Sequence, residues 1–395
     1  MARPSDEAST PMPTVPFADV RSWMFDAALP FWGDAGVDRR RGGFYEELDL
    51  AGRPTDVPFK RTRAMCRQVY VFSHAAVLGW APGGALAADG YAYLVEHAWL
   101  GEDRGWARRL TADGGVLDAT PDLYDLAFVL FALAWRHRAS GDRDALRRLH
   151  ETLDFIDRRL KPAGGEGYLH EWPARGPRLQ NPHMHLLEAS LAAYEATHDR
   201  RFLDRAHDLV DLFRRRFFDG RTLAEYFTDD WRRLPGDQGR IVEPGHQFEW
   251  AWILASYQRA SGEDLAAPAA ALVDFAEQHG VNAASQVTCN QVRDDGAVLD
   301  GGSRTWPNTE RIKGQLAVFE ITGRDTRHAI AGSTRVLLDR YLDVTPRGSW
   351  QDHFDAAGRP LATAAPTSTL YHVFLAFAEL LRLEDRLCEG PPPKS

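Results

Sequence analysis

The chain has 395 residues, of which 44% are hydrophobic and 26% are charged, as is usual for a globular protein. Its net charge of −9 argues against a nucleic-acid-binding protein, which needs a basic surface to contact phosphates. Three cysteines without a CxxC pair argue against both a disulfide framework and a cysteine-based zinc site.

The two ends of the chain differ from its middle. The first residues are polar and rich in proline, and they lack the apolar stretch of a signal peptide. No stretch approaches the ~18 apolar residues that a membrane-spanning helix requires. We therefore expect a flexible segment at 1–16, one domain over 17–387 and a flexible tail at 388–395. The protein is expected to be soluble and cytoplasmic, without nucleic-acid or membrane partners; its oligomeric state is not predicted.

Helical segments of two kinds alternate along the chain. Apolar helices are predicted, in chain order, around CRQVYVFSHAAVLGW (66–80), TPDLYDLAFVLFALAWRHRASG (120–141), NPHMHLLEASLAAYEATHD (181–199), GHQFEWAWILASYQRASG (245–262) and STLYHVFLAFAELLRLE (368–384). Between them lie segments with a charged face, such as 144–160 and 200–218, which are typical of an outer layer. Short hairpins are predicted at 42–55, 167–178, 222–236 and 348–360, where aromatic and polar residues alternate before a turn.

A polar residue recurs near the start of each apolar helix, at separations of 57, 61, 61, 64 and 62 residues. These residues are Arg67, Tyr124, His185, His246, Glu310 and His372. A fixed period of this length indicates repeated units that bury their apolar faces against their neighbours. The pattern predicts an all-α (α/α)6 toroid of six helical-hairpin repeats, with short β-hairpins at the mouth where the six residues meet. An open solenoid is the alternative.

Two histidines are followed by a glutamate at the same spacing. His246 and Glu249 form one H-x-x-E pair, and His185 and Glu188 form another, one repeat earlier. A carboxylate fixes the tautomer of a histidine and favours its imidazolium, which suits acid–base chemistry near neutral pH. The alternative is that these are structural histidines within the core.

Further candidate residues come from the same helices and the loops before them. His372 and Arg67 occupy equivalent repeat positions, although Arg67 also fits a buried salt bridge. Trp306 precedes an apolar helix, and aromatic rings at a cavity rim stack on sugars. His183 and His185 are two residues apart and point away from each other on a helix, and no HExxH motif occurs. We predict no metal and no cofactor.

Six segments together resemble the N-acylglucosamine 2-epimerase superfamily, and within it the mannose isomerase branch. They are FKRTRAMCRQVYVFSHA, YDLAFVLFALA, NPHMHLLEASLAAYEAT, EPGHQFEWAWIL, TWPNTERIKG and the pair SWQDHFDAAGRP and STLYHVF. The resemblance implies an (α/α)6 barrel that interconverts sugars at C1 and C2 without a metal. It also implies catalytic roles for Arg67, His185, His246, Glu249 and His372, and sugar binding by Tyr124, Asn181 and Trp306.

The resemblance further implies how these residues divide the work. His372 moves the proton, His246 opens the ring or acts as acid and base on the other side, and Arg67 polarises the open-chain oxygen. Glu249 is expected to raise the basicity of His246. The expected reaction is isomerisation of D-mannose to D-fructose, with D-lyxose to D-xylulose as a side reaction and a monosaccharide as the substrate.

Other functions stay open at this point. A 2-epimerase of the cellobiose or N-acylglucosamine type uses the same chemistry, and a sulfoquinovose isomerase needs further cationic partners. Arg232, Arg233 and Arg240 are candidates for that role, although their segment also reads as a solvated loop. A glycosidase needs two carboxylates flanking a bond. A non-catalytic sugar-binding protein tolerates loss of His246 and His372, whereas an isomerase does not.

Overall fold

The computed structural model describes residues 14–389. Most of the segments expected to be flexible, 1–16 and 388–395, lie outside this range. Helices hold 56% of the residues and strands 12%, which confirms a predominantly helical protein. No helix within the described range is long and apolar enough to cross a bilayer.

The helices follow one another with short strands between them. Their bounds are α1 Phe17–Arg21, α2 Leu29–Asp34, α3 Thr62–Val77, α4 Gly83–His97, α5 Leu123–Ser140, α6 Arg143–Leu160, α7 Asn181–Thr197, α8 Arg200–Leu212, α9 Pro244–Ser261, α10 Ala266–Gly280, α11 Thr305–Thr322, α12 Arg327–Val336, α13 Thr369–Arg382 and α14 Glu384–Glu389. Single π-helical segments connect α1 to α2 and extend α8 and α12; they are Ser22–Ala28, Phe213–Phe217 and Leu337–Leu342.

The sequence explains why α5 is an inner helix and α6 an outer one. Buried apolar residues surround α5 on nearly every side, whereas α6 buries one stripe and exposes its charged residues. The Asp122 side chain caps α5 by accepting a hydrogen bond from the backbone N–H of Asp125. Gly141 ends the same helix in the left-handed conformation, with φ of 70°.

The six inner helices contact one another in chain order. Helix α3 packs against α5, α5 against α7, α7 against α9, α9 against α11 and α11 against α13, and α13 returns to α3. Helices α4, α6, α8, α10 and α12 each cover the inner helix that precedes them. The sixth inner helix, α13, is covered by the first helical segments of the described chain. There Trp23 packs edge-on against Phe377 of α13, with ring centroids 5.6 Å apart. Helices from the two ends of the described chain thus form the sixth pair of inner and outer helices together.

Twelve short strands and one 3-10 helical turn, Asp237–Arg240, form the remaining regular structure of the described residues. They are β1 Glu47–Asp49, β2 Phe59–Arg61, β3 Arg109–Thr111, β4 Val116–Asp118, β5 Arg178–Leu179, β6 Tyr226–Phe227, β7 Ile241–Val242, β8 Gln291–Arg293, β9 Val298–Asp300, β10 Ser303–Arg304, β11 His353–Phe354 and β12 Ala364–Pro366. The sheets are antiparallel, in the orders β1-β12, β2-β3-β4, β5-β6, β7-β8-β9 and β10-β11.

Three of the four predicted hairpins are confirmed. Bridges from Leu48 to Pro54, Phe227 to Arg233 and Phe354 to Pro360 close 42–55, 222–236 and 348–360. The prediction for 167–178 is wrong, since this segment pairs with other parts of the chain: Glu171 bridges Asp122, and Arg178 pairs with Phe227. Alternating residues favour a strand, but they do not identify its partner.

The contact between Trp32 and Trp350 holds helix α2 against the segment that precedes strand β11. Both side chains are fully buried, their rings stack 4.6 Å apart, and Trp32 Nε1 donates to the carbonyl of Gly348 at 3.0 Å. We expect Trp32→Ala to lower the free energy of unfolding by about 3–5 kcal/mol, because it leaves a large cavity. Urea unfolding measures this, and Leu117→Ala at an exposed position should change it by less than about 0.5 kcal/mol. A small loss in Trp32→Ala would contradict the role of this contact.

Candidate active site

A cavity of about 330 Å³ opens where the inner helices begin. All eight sequence-predicted site residues line it: Arg67, Tyr124, Asn181, His185, His246, Glu249, Trp306 and His372. Five further lining residues were not predicted: Leu179, Glu225, Tyr226, Glu243 and Arg304. The structure therefore brings the whole predicted set together.

The amino-terminal ends of the inner helices converge on this cavity. Asn181 is the first residue of α7, Trp306 the second of α11, and His246 the third of α9. Backbone N–H groups at the start of a helix are unpaired and carry a partial positive charge. The site is therefore favourable for an oxygen that becomes negatively charged during a reaction.

Each of the three cavity histidines meets a carboxylate through the same ring nitrogen. In every case Nδ1 faces a buried glutamate, which favours the tautomer with the proton on Nδ1 and leaves Nε2 to accept or donate a proton. The pairs are His185 with Glu188 at 3.0 Å, His246 with Glu225 at 2.9 Å and His372 with Glu310 at 2.9 Å.

Two of these imidazoles are held neutral. Burial lowers the pKa of His372 well below its ordinary value, and the Arg67 and Lys313 cations lower it further. Burial also lowers the pKa of His185, although the hydrogen bond with Glu188 opposes that effect. A neutral imidazole at the working pH can take a proton from a substrate.

His246 is charged instead. Burial by itself lowers its pKa, but Glu225 and Glu243 outweigh burial and raise the pKa to about 10. The carboxylate of Glu243 lies 3.5 Å from Nδ1, behind the closer Glu225. Gln180, which is fully buried, donates its side-chain N–H to Glu225 at 2.7 Å and so fixes that carboxylate. At neutral pH the cavity thus holds an imidazolium beside neutral imidazoles, a division that separates acid from base.

The predicted direct pairing of His246 with Glu249 is wrong, although the charge of Glu249 does raise the pKa of His246, as expected. The ring nitrogen of His246 faces Glu225, which lies 21 residues earlier in the segment before β6. Helical spacing placed Glu249 on nearly the same face, but a carboxylate from another element approaches the ring more closely. The equivalent pairing of His185 with Glu188 is confirmed.

Glu249 has a different environment from the one expected. Its side chain is buried, and its Oε1 has no hydrogen-bond partner among the described residues. Burial raises the pKa of Glu249 well above its ordinary value, and the neighbouring Glu310 raises it further. The Glu249 carboxyl is therefore more readily protonated than that of an exposed glutamate, and a protonated carboxyl can donate a hydrogen bond.

Arg67 is a buried cation without a carboxylate partner within 4.0 Å in residues 14–389, which excludes the salt bridge considered from the sequence. Its guanidinium donates to the hydroxyl of Tyr124 at 2.8 Å and lies 4.2 Å from the ring centre of Phe128. Its Nε is buried and makes no hydrogen bond within the described chain. A preorganised charge of this kind is well suited to stabilise an oxyanion.

The predicted sugar-binding residues lie between these charged groups. The ring of Trp306 lies 5.1 Å from that of His246 and 5.8 Å from that of His372, so it forms the wall between them. Tyr124 meets the ring of His185 edge-on at 4.9 Å. The buried Oδ1 of Asn181 has no hydrogen-bond partner in the described part of the chain, and a sugar hydroxyl would satisfy it.

The arginines considered for sulfonate binding do not line the cavity. Arg232, Arg233 and Arg240 each pair with aspartates of the surrounding loops, the closest contacts being 2.9, 2.7 and 2.6 Å. Arg304 lines the cavity in their place, and no carboxylate lies within 4.0 Å of it in the structure from 14 to 389. Arg304 lies in the short strand β10 just before α11, outside the repeating helical pattern, and the sequence analysis missed it.

Two groups of side chains at the cavity have the composition of metal ligands. His185, Glu188 and Glu249 form one group and Glu249, Glu310 and His372 the other, with ligand atoms within 4.8 Å of one another in each. His183 takes no part, because its ring is buried between the backbone of Leu179 and that of Tyr168. The expectation of metal-free catalysis stays a prediction, which chelation tests below.

Comparison with known proteins places this site in a family. The N-acylglucosamine 2-epimerase (GlcNAc 2-epimerase) family matches residues 43–376. The chain is 36% identical to a mannose-6-phosphate isomerase of Rhizobium meliloti (strain 1021), over 92% of this chain and 96% of that protein. It is 28% identical to a D-mannose isomerase of Thermobifida fusca, over 90% and 94% of the two chains.

A solved structure has the same fold. The cellobiose 2-epimerase of Spirochaeta thermophila DSM 6192 superposes with a TM-score of 0.82 at 25% identity, covering 93% of this chain and 96% of that one. The match extends over most of both chains, so the relationship includes the whole cavity and the helices that form it. The chain belongs to the N-acylglucosamine 2-epimerase family, whose members are sugar isomerases and epimerases.

Proposed function

We propose that the protein is an aldose–ketose isomerase that converts D-mannose to D-fructose by proton transfer between C2 and C1, with D-lyxose to D-xylulose as a side reaction. One observation carries the proposal: a neutral imidazole, His372, and an imidazolium, His246, face the same cavity on either side of Trp306. Such a pair supplies the base and the acid that the reaction needs at one pH.

The helix contacts support the architecture expected for this chemistry. Because the inner helices contact one another in order and the last returns to the first, we infer a closed (α/α)6 toroid. The catalytic cavity lies at the mouth where the inner helices begin. The toroid would form a single domain over 17–387, as proposed from the sequence.

The reaction begins with opening of the sugar ring. The imidazolium of His246 donates a proton to the ring oxygen as the bond between C1 and that oxygen breaks, and the C1 hydroxyl loses its proton to solvent, which frees the C1 carbonyl. Arg67 then polarises that carbonyl oxygen, since its guanidinium has no carboxylate partner in the described range and retains a free N–H. The raised pKa of His246 keeps it protonated across the neutral range.

Proton transfer follows at C2. The Nε2 of His372 removes the C2 proton, and the electrons move onto the carbonyl oxygen to give an enediolate. Arg67 and the helix amino termini stabilise the negative charge of this intermediate. Transfer of the hydroxyl proton from O2 to O1 and return of the proton from His372 to C1 produce the ketose. The hydrogen bond from Nδ1 to Glu310 stabilises the imidazolium that His372 becomes after abstraction.

The size of the cavity supports a monosaccharide substrate. A volume of about 330 Å³ is at the lower end of the range for ligand sites, about 300–1,000 Å³. Two relatives described above are named mannose-6-phosphate isomerase and D-mannose isomerase, which also supports a mannose-type substrate.

A sugar 2-epimerase is the second candidate. It needs a base on each face of C2, and His185 offers a second neutral imidazole in the same cavity. A neighbouring basin of about 370 Å³ shares Arg67, Tyr124, Leu179 and Asn181 with the cavity, and it has room for the second unit of a disaccharide. The name of the cellobiose 2-epimerase relative agrees with this possibility.

Replacing Glu225 should change the pH dependence of catalysis. His246 acts as an acid, so activity is lost as the pH rises through its pKa, about 10 in the intact protein. We expect Glu225→Gln to lower that pKa and to move the alkaline limb of kcat/KM toward neutral pH. A pH–rate profile measures the shift, and Glu243→Gln should produce a smaller one because that carboxylate is farther away. An unchanged alkaline limb would contradict the role of His246.

The proposed activity is tested by incubating the purified protein with D-mannose, D-mannose 6-phosphate and cellobiose, before and after treatment with EDTA. We expect D-fructose from D-mannose, with turnover unchanged by the chelator. Glucosyl-mannose from cellobiose without fructose from mannose would establish the epimerase. Loss of turnover with EDTA, restored by a divalent cation, would contradict the metal-free mechanism.

A further inference from the structure

Beneath the cavity, Lys313 is buried among carboxylates. Its side chain is fully buried, and its Nζ lies 2.6 Å from Oε2 of Glu310 and 4.2 Å from the ring centre of Trp252. At this distance Lys313 and Glu310 form a buried ion pair, so the interior holds an ammonium beside a carboxylate.

The surrounding groups are those that bind divalent cations. Glu249 belongs to both ligand groups named above, one with His185 and Glu188 and the other with Glu310 and His372. Its Oε1 is buried without a hydrogen-bond partner in residues 14–389, so one ligand atom is unsatisfied. Carboxylates and imidazoles at such distances suit zinc or cobalt when no other cation neutralises them.

Lys313 already supplies such a cation. Its ammonium contacts Glu310, and Glu310 in turn holds Nδ1 of the proposed base His372. The negative charge of the carboxylates in this cluster would repel the negative charge of an enediolate. A buried cation removes that repulsion. Unlike a bound metal ion, the ammonium of Lys313 is part of the chain and cannot be removed by a chelator.

We propose that Lys313 replaces a divalent cation and closes two overlapping latent metal sites that share Glu249, one with His185 and Glu188 and the other with Glu310 and His372. Lys313 is in this view a positioning residue: it neutralises the carboxylate cluster and fixes Glu310, which orients His372. Without the ammonium, the cluster is expected to bind a divalent metal ion. The effect on turnover rests on the proposed function, whereas metal binding does not.

Lys313→Met removes the charge and retains a side chain of similar length. After chelator treatment, the variant, the wild type and Lys60→Met are titrated with Co²⁺ and followed by visible absorption. Lys60 is the matched control, because it too is a buried lysine and pairs with Asp38 at 2.9 Å away from the cavity. We expect Lys313→Met to bind one Co²⁺ at least about ten-fold more tightly than the other two proteins. Adding Glu249→Gln should remove this gain.

Turnover provides the second measurement. Lys313→Met should lower kcat by about 100-fold with KM changed less than about three-fold, because the lysine does not contact the sugar. Equal Co²⁺ affinity in Lys313→Met and the wild type would overturn the proposal, whichever sugar the enzyme uses. If Lys313→Met does not fold, the double variant Lys313→Met with Glu310→Gln removes the ion pair as a unit. That variant keeps His185, Glu188 and Glu249 and must still gain Co²⁺ binding.

Discussion

Replacement of His372 by asparagine is expected to lower kcat with D-mannose by about 10³-fold, since a positioned general base contributes about 10²–10⁴-fold. Asparagine is close in size to histidine and can hydrogen-bond to Glu310, but it cannot take a proton. KM should change little, because binding of the sugar depends on the other cavity residues. Steady-state kinetics of the purified variant measures both constants.

The exposed His207 provides the control for this prediction. Its side chain is 55% exposed and lies away from the cavity, so His207→Asn should retain normal kinetics. Near-normal kcat in His372→Asn would show that another group moves the proton, and His185 would then be the first candidate. Near-normal kcat in His185→Asn as well would mean that neither histidine moves the proton.

Replacement of Arg67 by lysine is expected to lower kcat/KM by about 10²–10³-fold, the usual effect of removing an oxyanion-stabilising donor. Lysine keeps the positive charge but cannot donate to Tyr124 and to a substrate oxygen in the same fixed geometry. Arg67→Met should have a larger effect, because it removes the charge as well.

Two measurements separate this role from a structural one. Both Arg67 variants should unfold near the wild-type urea midpoint, because no carboxylate in the described chain loses an ion-pair partner within 4.0 Å when the guanidinium is removed. Arg158→Lys, at an exposed position, should leave kcat/KM unchanged. Wild-type kinetics in Arg67→Lys would mean that charge alone is sufficient or that another cation, such as Arg304, stabilises the intermediate.

The inner helices and their polar residues were predictable because both follow the repeat. Helices packed on nearly every side need apolar residues all round, and α5 and α9 show this directly in their sequences. A repeat places equivalent positions at equivalent points of the ring. The recurrence of His185, His246 and His372 therefore predicted that they meet.

The partners of those histidines were predictable only where they lie on the same helix. Glu188 follows His185 by one helical turn and was identified, whereas Glu225 reaches His246 from a loop. Glu310 holds His372 across 62 positions of sequence, and no local spacing connects them. Tertiary contacts between separate units leave no periodic signal.

The wrong assignment of Glu249 has a physical reason. Three residues along a helix bring two side chains to neighbouring positions, but the ring of His246 turns toward the nearer carboxylates of Glu225 and Glu243. Glu249 instead lies in the buried cluster with Lys313, where burial raises the pKa of its carboxyl. The residue was correctly placed in the cavity, and its partner was not.

The most direct test of the mechanism is NMR of D-mannose incubated with the protein in deuterated water. Proton transfer by a histidine exchanges with solvent, so we predict D-fructose with deuterium at C1, and deuterium at C2 of the mannose that remains at equilibrium. Fructose without deuterium at C1 would indicate direct hydride transfer and would contradict the roles of His372 and His246.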